Sequence, residues 1–227
     1  MNSSRRLLLA LAAAASVLTG LAACANDATA PSASQPRSGF GVPSAAHRDI
    51  AGEDDPNFLN IASTAPSIAN PVITFTATKG RDTVVKMYFR ARASGHGHDS
   101  TVFAAFKVPA KALAYRPDGT PILDGQSVTI TMTLVDSVHG IIDFQPSGLR
   151  FSTKNPATLR ISFADDDPDL NQDGTVNAVD LALAANLHMI CRESPDSQWF
   201  RIPSTLFPET GEVEGIIYGF SGYSIEF

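Results

Sequence analysis

Val72-Ile73-Thr74-Phe75-Thr76-Ala77-Thr78 alternates apolar and hydroxyl-bearing residues and stops at Lys79-Gly80. Period-two alternation sends successive side chains to opposite faces of an extended strand, and β-branched residues favour that state. Thr83-Val84-Val85-Lys86-Met87-Tyr88-Phe89-Arg90 follows and is expected to pair with it as a hairpin across the Lys79-Gly80 turn. Similar runs extend from Thr101 to Val108, Ser127 to Val135, Gly140 to Phe144, Leu149 to Ser152 and Thr158 to Phe163. After an interruption come Gln198 to Ile202, Val213 to Tyr218 and Tyr223 to Phe227. About ten short strands bounded by Gly, Pro, Asn and Asp turns predict a mainly β fold, an antiparallel β-sandwich. The runs are too short and irregular for a membrane β-barrel.

Upstream, the chain starts with the basic Met1-Asn2-Ser3-Ser4-Arg5-Arg6, continues as an apolar run from Leu7 and ends that run at Leu21-Ala22-Ala23-Cys24. Basic flank, apolar stretch and small-residue cleavage site make residues 1–23 an expected export signal. The apolar run is marginal for a span, which takes about 20 helical residues, so an uncleaved anchor helix is the other reading. Leu-Ala-Ala-Cys resembles the lipobox of bacterial lipoproteins. That resemblance implies a diacylglycerol on the Cys24 thiol, cleavage before it and attachment to a membrane through the lipid. Ala25, rather than Asp, resembles the choice that sorts such chains to the outer membrane in Gram-negative cells. Several acyl chains together anchor stably, where one binds only marginally.

Residues 24–57 are rich in Ala, Ser, Pro and Gly and lack apolar periodicity, so they are expected to form a flexible tether. Roughly 30 residues of coil span on the order of 30 Å. Residues 58–227 suit one domain. With Cys24 acylated, Cys191 has no intramolecular partner; it reads as a small buried hydrophobe and not as half of a disulfide.

The interruption is Asp169-Leu170-Asn171-Gln172-Asp173-Gly174-Thr175-Val176-Asn177-Ala178-Val179-Asp180. Oxygen side chains at loop positions one, three, five, nine and twelve, with glycine at six, suit a hard cation such as Ca²⁺. Asp169, Asn171, Asp173, Asn177 and Asp180 are the expected ligands by side chain, and Thr175 by its carbonyl. Val176 is expected to turn away and pack on the domain. Val179, Leu183, Leu187 and Ile190 recur at helical spacing, so loop and helix together are placed at 169–191, with Asn177 as helix cap. No helix is expected to enter, because Pro168 blocks the approach. Asp180 stands where an EF-hand has Glu. The wording Asp-x-Asn-x-Asp-Gly-x-Val-Asn-x-x-Asp therefore resembles the calcium loop of dockerin modules more than a full EF-hand. Dockerins carry two such segments and this chain one, so the face that binds cohesins is incomplete. Asp165, Asp166, Asp167, Asp169, Asp173 and Asp180 have no base among them and match the formal net charge of −6. Without a cation this cluster would repel itself.

Three further segments resemble, in order, the β-sandwich module found in ankyrins and netrin receptors, the ZU domain. They are Phe106-Lys107-Val108-Pro109-Ala110-Lys111-Ala112-Leu113, then Phe144-Gln145-Pro146-Ser147-Gly148-Leu149-Arg150-Phe151 with Asn155-Pro156-Ala157-Thr158-Leu159, and finally Trp199 with Gly219-Phe220-Ser221-Gly222-Tyr223-Ser224-Ile225. The resemblance implies a sandwich with the cation loop as an insertion, and a protein-binding platform in the animal relatives. Read from residue type alone, Phe144, Phe151 and Trp199 are core positions and Pro146-Ser147-Gly148 is a turn.

No complete catalytic motif is present. Gly219-Phe220-Ser221-Gly222-Tyr223 lacks the second glycine of a nucleophile elbow. His96 and His98 in a Gly-rich loop offer a metal two ligands, with His139 as a conceivable third, and read better as a hairpin loop. Glu209, Glu212 and Glu214 cannot be paired into a glycosidase dyad from sequence. The acidic balance and the lack of a basic patch argue against nucleic acid. Two functional classes follow. One is a membrane-tethered, non-catalytic binding or structural module with structural calcium and a protein or glycan ligand. The other is a dockerin-like component of extracellular polysaccharide-processing machinery.

Overall fold

The computed structural model describes residues 56–91 and 101–227. The expected signal, Cys24, nearly all of the tether, His96 and His98 lie outside the described residues. The strands are β1 (Val72–Thr78), β2 (Thr83–Tyr88), β3 (Val102–Val108), β4 (Leu113–Tyr115), β5 (Ser127–Asp136), β6 (Ile141–Gln145), β7 (Arg150–Phe151) and β8 (Ala157–Ser162). One helix, α1 (Ala178–Ala184), precedes β9 (His188–Arg192), β10 (Phe200–Arg201), β11 (Ser204–Phe207), β12 (Glu212–Ile217) and β13 (Gly222–Glu226). They form a six-stranded sheet in the order β1-β5-β6-β13-β9-β10, a five-stranded sheet in the order β11-β12-β8-β3-β2, and the small pair β4-β7. Every named pairing is antiparallel, so the mainly β sandwich with one short helix is the observed architecture. Among the described residues no helix is long and apolar enough to cross a membrane.

Alternation builds the core. On β5, Val128, Ile130 and Met132 are buried while Ser127 and Thr129 face outward. The same rule buries Leu159 and Ile161 of β8 and Val213 and Ile217 of β12. Phe106, Phe144, Phe151 and Phe220 meet in one aromatic cluster, with ring centroids 4.7 Å apart for Phe106–Phe144 and 5.1 Å for Phe144–Phe220. Phe151 joins through an edge contact with Phe220 at 5.2 Å. The segments that resemble the ZU module thus deliver their phenylalanines to a single point between the sheets. Each buried side chain of this size contributes about 1.5–3 kcal/mol.

Three expectations fail. β1 and β2 do not form a hairpin: β1 pairs with β5 in one sheet and β2 with β3 in the other. The residues between them bond to distant backbone, Lys79 N–H to Gln126, Gly80 N–H to Ala110, and Asp82 Oδ1 accepting from Ala110 N–H. Alternation fixes which side chains point inward, and both layers of a sandwich share that inside. The helix also ends at Ala184, and Leu187 and Ile190 lie beyond it, Ile190 on β9 between β13 and β10. Finally, Trp199 is outside the core: Arg192 lies over its ring at 4.7 Å and Phe58 meets it edge-on at 5.2 Å.

Candidate functional site

Local polarity shapes the loop that leaves Asp166. As expected, no helix enters it; Asp166 instead forms an isolated bridge with Ile61. Asp167 Oδ1 accepts from Asp169 N–H at 3.1 Å. The Asp169 carboxylate accepts from Asp173 N–H at 3.2 Å and from Gly174 N–H at 2.7 Å. Asn171 Oδ1 takes Asp173 N–H, and Asp173 Oδ1 takes Thr175 N–H. Short polar side chains bonding to backbone one or two residues on are what make Asx turns. Gly174, at the sixth position, has φ 85°, a left-handed conformation that glycine adopts without steric cost.

Asp180 closes the loop. It is 2% exposed, and its Oδ1 accepts from Leu170 and Asn171 N–H while its Oδ2 accepts from Asn177 N–H. The Asn177 bond foremost holds the carboxyl below the usual aspartate range; burial opposes this, and the Asn171 and Leu170 bonds add to the lowering. Asn177 Oδ1 in turn accepts from Val179 N–H at 2.7 Å, so Asn177 and Asp180 form a reciprocal capping box at the start of α1. The expected cap is therefore present. One carboxylate joins the second, third and ninth loop positions to the helix.

Docking of the loop differs from expectation. Val176 is 57% exposed and Val179 53%, so neither packs on the domain. Leu170 is the buried anchor, with Leu183 and Ala184 half-buried against the same core. Leu170 and Asp180 hold the loop from its inner side, which turns position eight to solvent.

The six expected ligands lie in one turn and all offer oxygen, a donor set that suits a hard cation. The Asp169 oxygens and Asp180 Oδ2 each accept one N–H and retain a second lone pair, whereas Asp180 Oδ1 accepts two. Among the described residues, however, no three His, Cys, Asp or Glu side chains gather as a metal-ligand group. Asp169 and Asp180 direct their oxygens at backbone N–H groups, and Asp173 accepts from Thr175 N–H through Oδ1 and from the Asn171 side-chain amide through Oδ2.

Elsewhere polar side chains are paired with one another. Arg160 bridges Glu212 at 3.2 Å and Glu214 at 3.0 Å and stacks over Phe207 at 4.7 Å, so neither glutamate is set up as half of an acid pair. His139 Nδ1 lies 2.8 Å from Asp136 Oδ2, and its ring packs on Phe58. Burial raises the Asp136 carboxyl, but bonds from His139 and Val138 leave it below the ordinary range. Cys191 is half-buried against the core, and burial pushes its thiol up to about 12, the behaviour of a packing cysteine rather than a nucleophile.

Two groups had no signal in the sequence. Glu226 Oε1 accepts from Arg201 at 2.8 Å and lies 2.7 Å from His188 Nε2, while His188 Nδ1 faces the Asn186 carbonyl. Asp166 Oδ1 is enclosed without a hydrogen-bond partner. Strands remote in sequence make the first and a loop crossing makes the second, so no spacing rule reaches either. No family model matches the chain, and neither a curated protein nor a solved structure is significantly similar to it.

Proposed function

We propose that the chain is a lipid-anchored, non-catalytic module of the cell envelope, whose sandwich stands off the outer membrane on the 24–57 tether and takes a structural Ca²⁺ at the 169–180 loop. The observation that carries this reading is Asp180. The buried Asp180 carboxylate links three loop positions to α1, inside a stretch from Asp165 to Asp180 whose sequence is rich in aspartate and holds no lysine, arginine or histidine. Self-repulsion of that kind is relieved by a divalent cation. Asp169, Asn171, Asp173, Asn177, Asp180 and the Thr175 carbonyl would hold it. The ion supplies positive charge and a cross-link between loop and helix. The resemblance of Leu21-Ala22-Ala23-Cys24 to a lipobox supports the anchor, and the ZU-like segments support binding over catalysis.

Calorimetric and thermal titration of the full chain with Ca²⁺ tests the site. Expected is a dissociation constant on the order of 10⁻⁴ to 10⁻³ M, as in extracellular modules. Saturation at about a hundredfold excess over that constant then adds about 2.7 kcal/mol of stability. Neither heat nor a shift in melting temperature would reduce the loop to an Asx-rich surface turn. For the anchor, Cys24→Ser should move the chain from the membrane to the soluble fraction.

One observation favours the polysaccharide-machinery reading. Val176, Val179 and Leu181, the last 70% exposed, present apolar side chains to solvent from the loop and helix. Calcium-dependent retention on cohesin modules or insoluble glycans would support it. Retention on neither leaves the structural module.

A further inference from the structure

Four strands end the two large sheets, and three of them are blunted. β2 carries Lys86 at its middle and a bulge at Met87/Tyr88, and the segment before β1 bonds to its end through Ala69 N–H to Tyr88 and Arg90 N–H to Ser67. β10 has two residues, and β11 has four residues between Pro203 and Pro208. Charge, bulges, proline and shortness are the usual protections of an edge. β1 is protected only at its ends, by Pro71 and Lys79: between them it runs for seven residues without charge, proline or bulge, and its register with β5 is unbroken. Among the described residues no strand pairs with its outer side.

The inward face of β1 is also incompletely covered. Ile73 and Phe75 are only half-buried, whereas Val128, Ile130 and Met132 beside them on β5 are buried. The outward face is a neutral hydroxyl array: Thr74 meets Thr131 at 3.0 Å, Thr78 meets Ser127 at 2.8 Å, and Thr76 is opposite Thr129.

We infer that β1 is a self-association edge, pairing antiparallel with β1 of a second copy about a two-fold axis near Phe75. The strand is nearly symmetric about that residue. Thr74 would stand opposite Thr76 of the second copy, both facing solvent, and Ile73 opposite Ala77, both facing the core. Cross-strand threonine pairs and apolar pairs are both favourable. A chain with a net charge of −6 repels its copies, and this neutral edge is where they approach with least penalty. Such an edge buries little area, so the association is weak, in the range of transient contacts.

Sedimentation equilibrium of the full chain in a non-ionic detergent, across a wide concentration range, tests the inference. The mass should climb from one chain toward two. The doubly substituted Thr74→Lys, Thr76→Lys chain, altered at exposed positions, loses the Thr74–Thr131 hydroxyl bond and should melt within a few degrees of the wild type. It should associate at least about tenfold more weakly, because like charges then face each other across the axis. Thr129→Lys, on the same face but off the edge, should associate as the wild type does. A wild-type chain that stays at one chain mass throughout, or lysine variants that associate unchanged, overturns the inference. So does protection of the outward β1 amides from hydrogen exchange that is independent of concentration, since that would assign the edge to the chain's own tether.

Discussion

Replacing Asp166 by Asn probes a carboxyl with one oxygen that folding leaves without a partner. Its Oδ1 is enclosed and unpaired beside a cavity of about 10 Å³ lined also by His139, Ser162 and Ser224, room for one water at most. Burial foremost, and then the neighbouring Asp165 carboxylate, push the Asp166 carboxyl up to about 8 from the ordinary 3.8. Between those values the folded chain holds a proton that the unfolded chain releases. The stabilising contribution is therefore complete below the unfolded value, declines as pH rises and levels off above the folded one. One unit of difference corresponds to about 1.4 kcal/mol, so from about pH 5 to pH 8 this group removes at most about 4 kcal/mol. The Asp165 carboxylate, which acts on Asp166, and His139, which lines the cavity and pairs with Asp136, are present in both proteins. The quantity to read is thus the difference between variant and wild type, in which their shares cancel. Urea unfolding of the full chain at several pH values supplies it. Asp166→Asn should be slightly less stable at the acid end, by about 1 kcal/mol for an unmatched amide, and more stable at the alkaline end. The two curves should cross. Parallel curves would refute a carboxyl held neutral by the fold.

Other substitutions report on separate parts of the structure. Phe106→Ala removes the ring shared by the aromatic cluster and should cost about 3–5 kcal/mol, lowering the melting temperature by roughly 10 °C. Asn177→Ala should cost about 1 kcal/mol and expose α1 to earlier hydrogen exchange, since it deletes half of the capping box. Glu226→Gln should cost about 2 kcal/mol near neutral pH in denaturant unfolding. Burial raises the Glu226 carboxyl, and the bonds from His188 and Arg201 outweigh it and hold it below 4.5. Its contribution is therefore present above 4.5 and fades as pH falls through the lowered folded value, so variant and wild type should converge in acid.

The mainly β class was legible because alternation is a local property. β5, β8 and β12 show it plainly, and the inward residues it names are the buried ones; β1 shows it too, with Ala77 buried and Ile73 and Phe75 half-buried. β4 and β7 are too short to alternate. β9 shows where periodicity misleads. Leu183, Leu187 and Ile190 fit a helical stripe, yet Met189 and Cys191 pair with Ile225 and Tyr223 of β13. A short apolar run satisfies both periods, and the sheet that receives it settles the outcome. At the loop, the glycine turn, the cap and the missing entry helix were all readable from residue type and spacing. The exposure of Val176 was not, because it depends on Leu170 finding the core.

Sequence alone therefore determined the faces of the strands, the turn at Gly174 and the cap at Asn177, each set by interactions within a few residues of chain. Tertiary structure decided which strand joins which sheet, left the edge of β1 unpaired among the described residues and enclosed Asp166 Oδ1. Those outcomes depend on hydrogen bonds and packing between segments far apart along the chain, whose free energy appears only once both are in place.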